Sequence, residues 1–316
     1  MTPMPATPTH ADAPVPAPQG IDGAPPAPAS AGALPATAAA DASSRAGRGV
    51  LVVKLGGAAG IDVQRTLADL AALAAEGQPW VLVHGGNAEL DDVSRRLGHQ
   101  PRFVTSPSGH QSRVTDLATV GLIQMVYRGR INNDLVLRLQ GLGCNAVGLS
   151  GVDGRLWQAE RKDAVRVVEN GRKFLLRDDY TGRLVAVNTE LLRLLLDHGY
   201  HPVLTLPALA SDGSAVNVDG DRVTAQVAAA LGAPDYVNLS NVPGLLRNPQ
   251  DPSSLVARIE RARLADFEGY AQGRFKKKLL GVREALEGGV RRVVLGDANR
   301  EHPVRDALAG HGTVIA

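Results

Sequence analysis

Cysteine occurs once in this chain of 316 residues, at Cys144. A single thiol forms no intrachain disulfide and no Cys-rich metal site, so the fold rests on its core, as in proteins of a reducing cytoplasm. Excess charge is equally scarce. With 34 basic and 32 acidic residues the net charge is +2, which argues against a dedicated nucleic-acid binder with its strongly basic domain. Long apolar runs are missing as well. None approaches the ~18–20 residues of a membrane span, so no membrane segment is expected. No lysine or arginine precedes Arg45 and no unbroken apolar stretch occurs before it, a pattern unlike a secretory signal. Neither the Walker pattern nor GxGxxG is present, so those nucleotide-binding folds are not supported.

Residues 1–49 hold half of the 20 prolines, set among alanine and serine and almost free of aromatics. Proline at that density stops any regular element, and the composition cannot build a core. A disordered Ala/Pro-rich extension is expected there, with the folded part starting near Val50.

From Val50 onward the pattern is regular, in a chain that is 44% hydrophobic. Short apolar runs recur at 50–55, 80–85, 145–150, 201–209, 235–240 and 291–297. They are Val/Leu-rich and mostly unbroken by alternation, as in strands buried on both faces of a parallel sheet. Helical periodicity fills the gaps over 62–77, 115–143, 188–199 and 275–289. This alternation predicts an α/β fold, a three-layer αβα sandwich around a mainly parallel sheet. One segment departs from it. Residues 155–183 read as antiparallel strands, with Asn170-Gly171 as a hairpin turn, making a β-hairpin excursion on one side of the sheet.

The first strand ends in Lys54 and then the pair Gly56-Gly57; the second ends in His84 and the pair Gly85-Gly86. In parallel α/β sheets ligands bind beyond the carboxyl ends of the strands. Glycine there lets the backbone approach a ligand and offer its N–H to phosphate oxygens. Phosphoryl transfer further needs cations, which Lys54 and the run Lys276-Lys277-Lys278 supply. It needs an anion to hold them, for which Asp219 and Asp221 stand at a loop-to-helix junction. Arg113, before the long helix, suits a carboxylate. Plain alternatives exist for single residues: a solvated lysine run, or a capping Asp219. His84 has no Ser or Cys partner at a useful spacing and reads as structural, and Cys144 as buried packing.

Taken in order, "VVKLGG", "LVHGGNAE", "SRVTD", "VGLSGVDG", "AVNVDGDRVTAQVAAALGA", "LSNVPGLL" and "GRFKKKL" resemble the amino acid kinase family, in particular its acetylglutamate kinase branch. The likeness runs over residues 50–316. Within that branch, "GHQPRFVTSPSGHQSRVTD" and "DDYTGRLVAVNTELL" are similar to the kinases that act on carrier-protein-bound aminoadipate in lysine biosynthesis. Asn241 and Asn87, where acetylglutamate kinases more often have aspartate and a third glycine, point the same way. Acetylglutamate kinase of arginine biosynthesis, and a carrier-linked kinase for glutamate, are the alternatives.

The resemblance implies an ATP-dependent phosphotransferase making an acyl phosphate from a side-chain carboxylate. It implies Lys54, Lys278 and Asp221 as catalytic; Gly85, Gly86, Arg113 and Asn217 as acceptor-binding; and Gly56, Gly57, Ser240, Asn241 and Gly244 as ATP- and phosphate-binding. Residues of about 50–215 would form the amino-acid-binding half and about 216–316 the nucleotide-binding half. Mg2+ would come with ATP, with no metal site of the protein's own. A small acidic LysW-like amino-group carrier protein is the expected partner, and a homodimer the expected assembly. The stretch 155–177 bears seven basic and three acidic residues, a surface that suits such a carrier.

Overall fold

The strands of the central sheet form where the sequence is apolar and β-branched, and the sheet is built from both ends of the chain. In a computed structural model the described residues are 48–316, apart from 108, 110, 170–171, 272 and 274. The expected extension up to residue 47 and the Asn170-Gly171 turn lie outside the described residues. The strands are β1 (Leu51–Leu55), β2 (Trp80–His84), β3 (Phe103–Thr105), β4 (Gln111–Arg113), β5 (Ala146–Ser150), β6 (Trp157–Arg161), β7 (Val165–Glu169) and β8 (Arg172–Leu176). They continue with β9 (Gly182–Val187), β10 (His201–Thr205), β11 (Ala208–Ala210), β12 (Ala215–Val216), β13 (Asp235–Ser240), β14 (Arg258–Ile259), β15 (Arg292–Asp297) and β16 (Thr313–Ile315). The helices are α1 (Val63–Ala75), α2 (Asn87–Arg96), α3 (Leu117–Ile123), α4 (Asn133–Gly141), α5 (Thr189–Asp197), α6 (Gly220–Leu231), α7 (Phe275–Glu287) and α8 (Pro303–Leu308).

Eight strands make the main sheet, in the order β14-β16-β15-β13-β1-β2-β10-β5. Its pairings are parallel except β15 with β16. Side chains alternate across it, so one core lies on each face. Val52, Val81 and Val83 join one core with Val223 and Val227 of α6 and Leu279 and Val282 of α7. Leu51, Val53, Trp80 and Leu82 join the other with Leu67 and Leu70 of α1 and Leu135 and Leu139 of α4. This is the three-layer αβα sandwich expected from the alternation of runs.

The excursion is richer than the sequence suggests. Residues 155–183 do not form one antiparallel flap. β6 pairs antiparallel with β9 and parallel with β11 in one four-stranded sheet. β7 and β8 form a hairpin that joins β3 and β4 in another. The partners β3, β4 and β11 are three-residue strands, too short to show a period in sequence.

The long helical stretch 115–143 also differs in detail. Between α3 and α4 the residues Gln124–Asn132 wind as a π-helix. Asn132 from this segment is fully buried. Its Nδ2 donates to the Val203 carbonyl at 2.9 Å and lies 3.0 Å from His84 Nε2. π segments in α-helices frequently mark functional regions, and this one packs behind the second glycine turn: a Cβ on Gly86 would lie 2.3 Å from Ile131 Cδ1.

Candidate active site

The two glycine pairs meet. Gly57 follows β1 and Gly86 follows β2, which are parallel neighbours in register from Leu51 with Trp80 to Leu55 with His84. Gly85 N donates to Leu55 O, and Ala88 N donates to Gly57 O. A Cβ on Gly57 would lie 2.1 Å from Gly86 N and 2.6 Å from the Gly85 carbonyl carbon. Two backbones lie where side chains would otherwise be, so close approach is a structural need of these glycines in its own right. The Gly56 N–H is donated to Leu239 O at 2.9 Å, so of that pair it is Gly57 whose N–H remains for the phosphate role.

Lys54 sits one residue before the end of β1 and is buried. Its register partner on β13 is Asn238, also buried. Asp221 enters from the first turn of α6, whose N-cap is Asp219: the Asp219 carboxylate accepts from the Asp221 and Arg222 backbone N–H groups. Lys278 enters from the first turns of α7. One oxygen of Asp221 gathers all three neighbours. Lys54 Nζ is 3.1 Å from it, Lys278 Nζ 3.7 Å and Asn238 Nδ2 3.0 Å. Asn238 Oδ1 in turn accepts from Lys278 Nζ at 2.8 Å. Gly281, one turn after Lys278, allows this approach. A Cβ there would meet the Asp221 carbonyl oxygen at 3.0 Å.

The electrostatics follow from burial and pairing. Burial opposes ionisation of Asp221, but the Lys278 and Lys54 charges and the Asn238 hydrogen bond outweigh it and hold the carboxyl well below the usual carboxylate range. Burial pushes the Lys278 ammonium down to about 8, against the pull of Asp221. Burial, with the Asp221 charge, moves Asp219 up. His84 is driven down to about 4 by burial. Its Nδ1 is 3.0 Å from the Gly85 carbonyl and its Nε2 faces an amide donor, so a neutral ring with the proton on Nδ1 satisfies both contacts. His84 therefore braces the second turn, as its isolation in sequence implied. Burial pushes the Cys144 thiol up to about 12, which fits packing rather than reactivity.

A cleft of about 470 Å³ opens beside this cluster. Lys54, Asp221, Gly57 and Gly85 line it, as do Arg113, Asn217 and Lys277; Lys278 is not among the lining residues. Arg113 pairs with Asp91 of α2 and stacks on the Phe103 ring at 4.8 Å. Asn217 Nδ2 donates to Thr115 Oγ1 at 3.1 Å. Lys277 is not simply solvated: its Nζ lies 3.2 Å from Ser112 Oγ and 3.7 Å from Asp219. Gly86 is buried behind the cleft against Tyr127 and Ile131. Ser240 and Asn241 stand at and just past the end of β13, next to the Gly56 turn, and are not among the cleft-lining residues. Gly244 is buried, with φ +152 and no room for a Cβ beside Thr313 Oγ1. Among the described residues no group of three or more His, Cys, Asp or Glu could hold a metal ion, and no helix is long and apolar enough to cross a membrane.

The sequence does not single out Asn238 or Asp91, and offers Lys277 only as one of three consecutive lysines. Asn238 leaves one trace, an amide in an otherwise apolar buried strand. Asp91 leaves none.

Comparison with known proteins bears on the family and the fold. The pattern of the Amino acid kinase family matches residues 49–297. The chain is 53% identical over 267 residues to a LysW-aminoadipate kinase of Deinococcus radiodurans, covering 84% of this chain and 91% of that one. It is 51% identical over 268 residues to a LysW-aminoadipate kinase of Thermus thermophilus, covering 84% of this chain and all of the other. An acetylglutamate kinase of Archaeoglobus fulgidus is 34% identical over 273 residues, covering 84% and 92%. Among solved structures, N-acetylglutamate synthase of Neisseria gonorrhoeae has a TM-score of 0.70 at 24% identity. The match covers 87% of this chain and 62% of that one, and speaks to the fold alone. With its glycine turns, lysine pair and αβα sandwich, the chain belongs to the amino acid kinase family.

Proposed function

We propose that this protein transfers the γ-phosphoryl of ATP to the side-chain carboxylate of aminoadipate held on a small acidic amino-group carrier protein. The product is an acyl phosphate, and the step belongs to lysine biosynthesis in the cytoplasm. The observation that carries the reading is the convergence of Lys54 and Lys278, from segments remote in the sequence, on one oxygen of Asp221.

Carboxylate and ATP are both anionic, so the chemistry is mostly charge management and in-line positioning. An oxygen of the acceptor carboxylate attacks the γ-phosphorus. The bond from that phosphorus to the bridging oxygen breaks, and ADP leaves with the negative charge. Lys54 and Lys278 stand where negative charge spreads over the moving group. Asp221 fixes both amines before substrate arrives, so little reorganisation is needed during reaction. Gly57 lines the same cleft, and its N–H donates to the phosphoryl. Mg2+ carried on the ATP phosphates would neutralise part of their charge, and Lys54 would supply a donor to the same phosphates.

Arg113, preset by Asp91 and Phe103, and Asn217 hold the other end of the acceptor, with Gly85 and Gly86 shaping its wall. Ser240, Asn241 and Gly244 form the nucleotide side beyond β13. On this reading residues of about 50–215 serve the acceptor and 216–316 the nucleotide. The carrier docks on the β7–β8 hairpin, where Arg166, Arg172 and Lys173 are exposed. Arg161, of the same basic stretch, lies over the Tyr180 ring at 3.6 Å. A homodimer fits exposed Leu117, Met125 and Leu137 on the helical stretch 117–141.

The test is acyl-phosphate trapping with hydroxylamine, using ATP and three acceptors: carrier-bound aminoadipate, carrier-bound glutamate and free acetylglutamate. The reading expects hydroxamate with the first at the highest kcat/KM. Turnover of free acetylglutamate alone would place the enzyme in arginine biosynthesis instead.

A further inference from the structure

Asp179 is a carboxylate at 3% exposure on the wall of the cleft. Its charge is met by backbone. One oxygen accepts from the Thr115 N–H at 3.0 Å, the other from the Thr181 N–H at 2.9 Å. Both amides belong to segments that carry acceptor-side residues. Thr115 follows Arg113 by two positions, and its hydroxyl donates to the Arg113 carbonyl at 3.3 Å and accepts from Asn217 Nδ2 at 3.1 Å. Thr181 is bridged to Asn217 itself. The chain between them closes the ring. Tyr180 N donates to Thr115 O at 2.6 Å, and Asn217 N donates to Tyr180 O at 2.8 Å. Arg161 covers the outer side, stacked on Tyr180 and donating to the Asp179 carbonyl at 3.3 Å. Asp178, just before, holds φ +56, a conformation a non-glycine residue keeps only where its surroundings impose it.

We propose that Asp179 is the positioning residue of the acceptor end: by bonding the Thr115 and Thr181 amides at once, it fixes Arg113 and Asn217 at one spacing for the acceptor's non-reacting end. The claim rests on the reading that Arg113 and Asn217 bind the acceptor. Three segments far apart in sequence, ending at 115, starting at 179 and ending at 217, meet through the Tyr180 backbone, and the Asp179 carboxylate adds the side-chain bonds that hold the Thr115 and Thr181 amides to one group. An aspartate can serve two N–H donors at once; asparagine has a single acceptor oxygen and turns an N–H2 group toward the other donor.

Asp179→Asn and the smaller Asp179→Ser, which reaches only one of the two amides, are assayed with ATP and carrier-bound aminoadipate by hydroxamate trapping. The acceptor KM is expected to rise roughly tenfold or more, the size of a buried amide left without its partner, while the ATP KM stays within about twofold. A merely structural residue would lower kcat and thermal stability without this split. An unchanged acceptor KM in a folded variant overturns the proposal, and so does failure of both variants to fold, which would make Asp179 a stability residue. No hydroxamate from the unaltered enzyme with that acceptor overturns the functional reading instead.

Discussion

Gly57 and Gly86 touch backbone to backbone, at a distance that a single added methyl on Gly57 would reduce to 2.1 Å from the Gly86 nitrogen. The contact ties the end of β1, the strand of Lys54, to the end of β2. Gly57→Ala is expected to force the turns apart, at about 1–3 kcal/mol of overpacking. Activity should fall on the order of 100-fold as the phosphate donor is displaced. Gly121 of α3 is the control: nothing lies within 4 Å of an added Cβ. Gly121→Ala should raise stability by about 0.5–1 kcal/mol through reduced chain entropy. Urea melts and steady-state rates check both, and an active Gly57→Ala enzyme would remove the contact from the mechanism.

Lys54→Ala and Lys278→Ala should each lower kcat by ~100-fold or more, the loss seen when one preorganised donor of charge is removed. The double variant should fall by less than the product of the single losses, because both amines act on the same group and share Asp221. Wild-type-like turnover in either single variant would exclude that lysine.

The pH profile carries its own sign. Burial brings the Lys278 ammonium down to about 8, and its charged form is the acid. The amine is therefore charged below about pH 8 and loses its charge above. kcat/KM should be flat near neutrality and then drop about tenfold per pH unit on the alkaline side. Asp221 stays ionised over this range, and neutral His84, down at about 4, adds no limb. Lys278→Arg, charged at every accessible pH, should abolish the alkaline limb whatever its absolute rate. Persistence of the limb would assign it to another group.

The basic hairpin predicts a salt effect. Reversal of Arg166, Arg172 and Lys173 to glutamate should lower kcat/KM for the carrier-bound acceptor at least about tenfold at low ionic strength, and flatten its dependence on salt. The ATP KM should not move. A salt slope equal to that of the parent enzyme would place the dock elsewhere.

Residue types at strand ends were legible because they interrupt a local pattern. Lys54 breaks an apolar run, Gly56-Gly57 and Gly85-Gly86 remove side chains at strand ends, and Asp219 and Asp221 stand at the start of a helical period. Asn238, Asp91 and Asp179 were not legible as parts of a site. Each acts through a partner remote in the chain: Asn238 through Lys278, Asp91 through Arg113, Asp179 through Thr115. Lys277 was hidden by its neighbours, since three consecutive lysines on a helix face different ways and only packing selects which of them is buried.

By itself the sequence determined the layers, because the period of apolar residues dictates which backbone hydrogen-bonds as strand or helix and which face it must bury. Only the tertiary structure decided which cations meet which carboxylate. It also decided that the 155–183 segment divides between two small sheets, and that Gly56 gives its N–H to Leu239 while Gly57 presses against the second turn. Those outcomes depend on distances between segments remote along the chain, and such distances are set by how whole layers pack, not by any local run of residues.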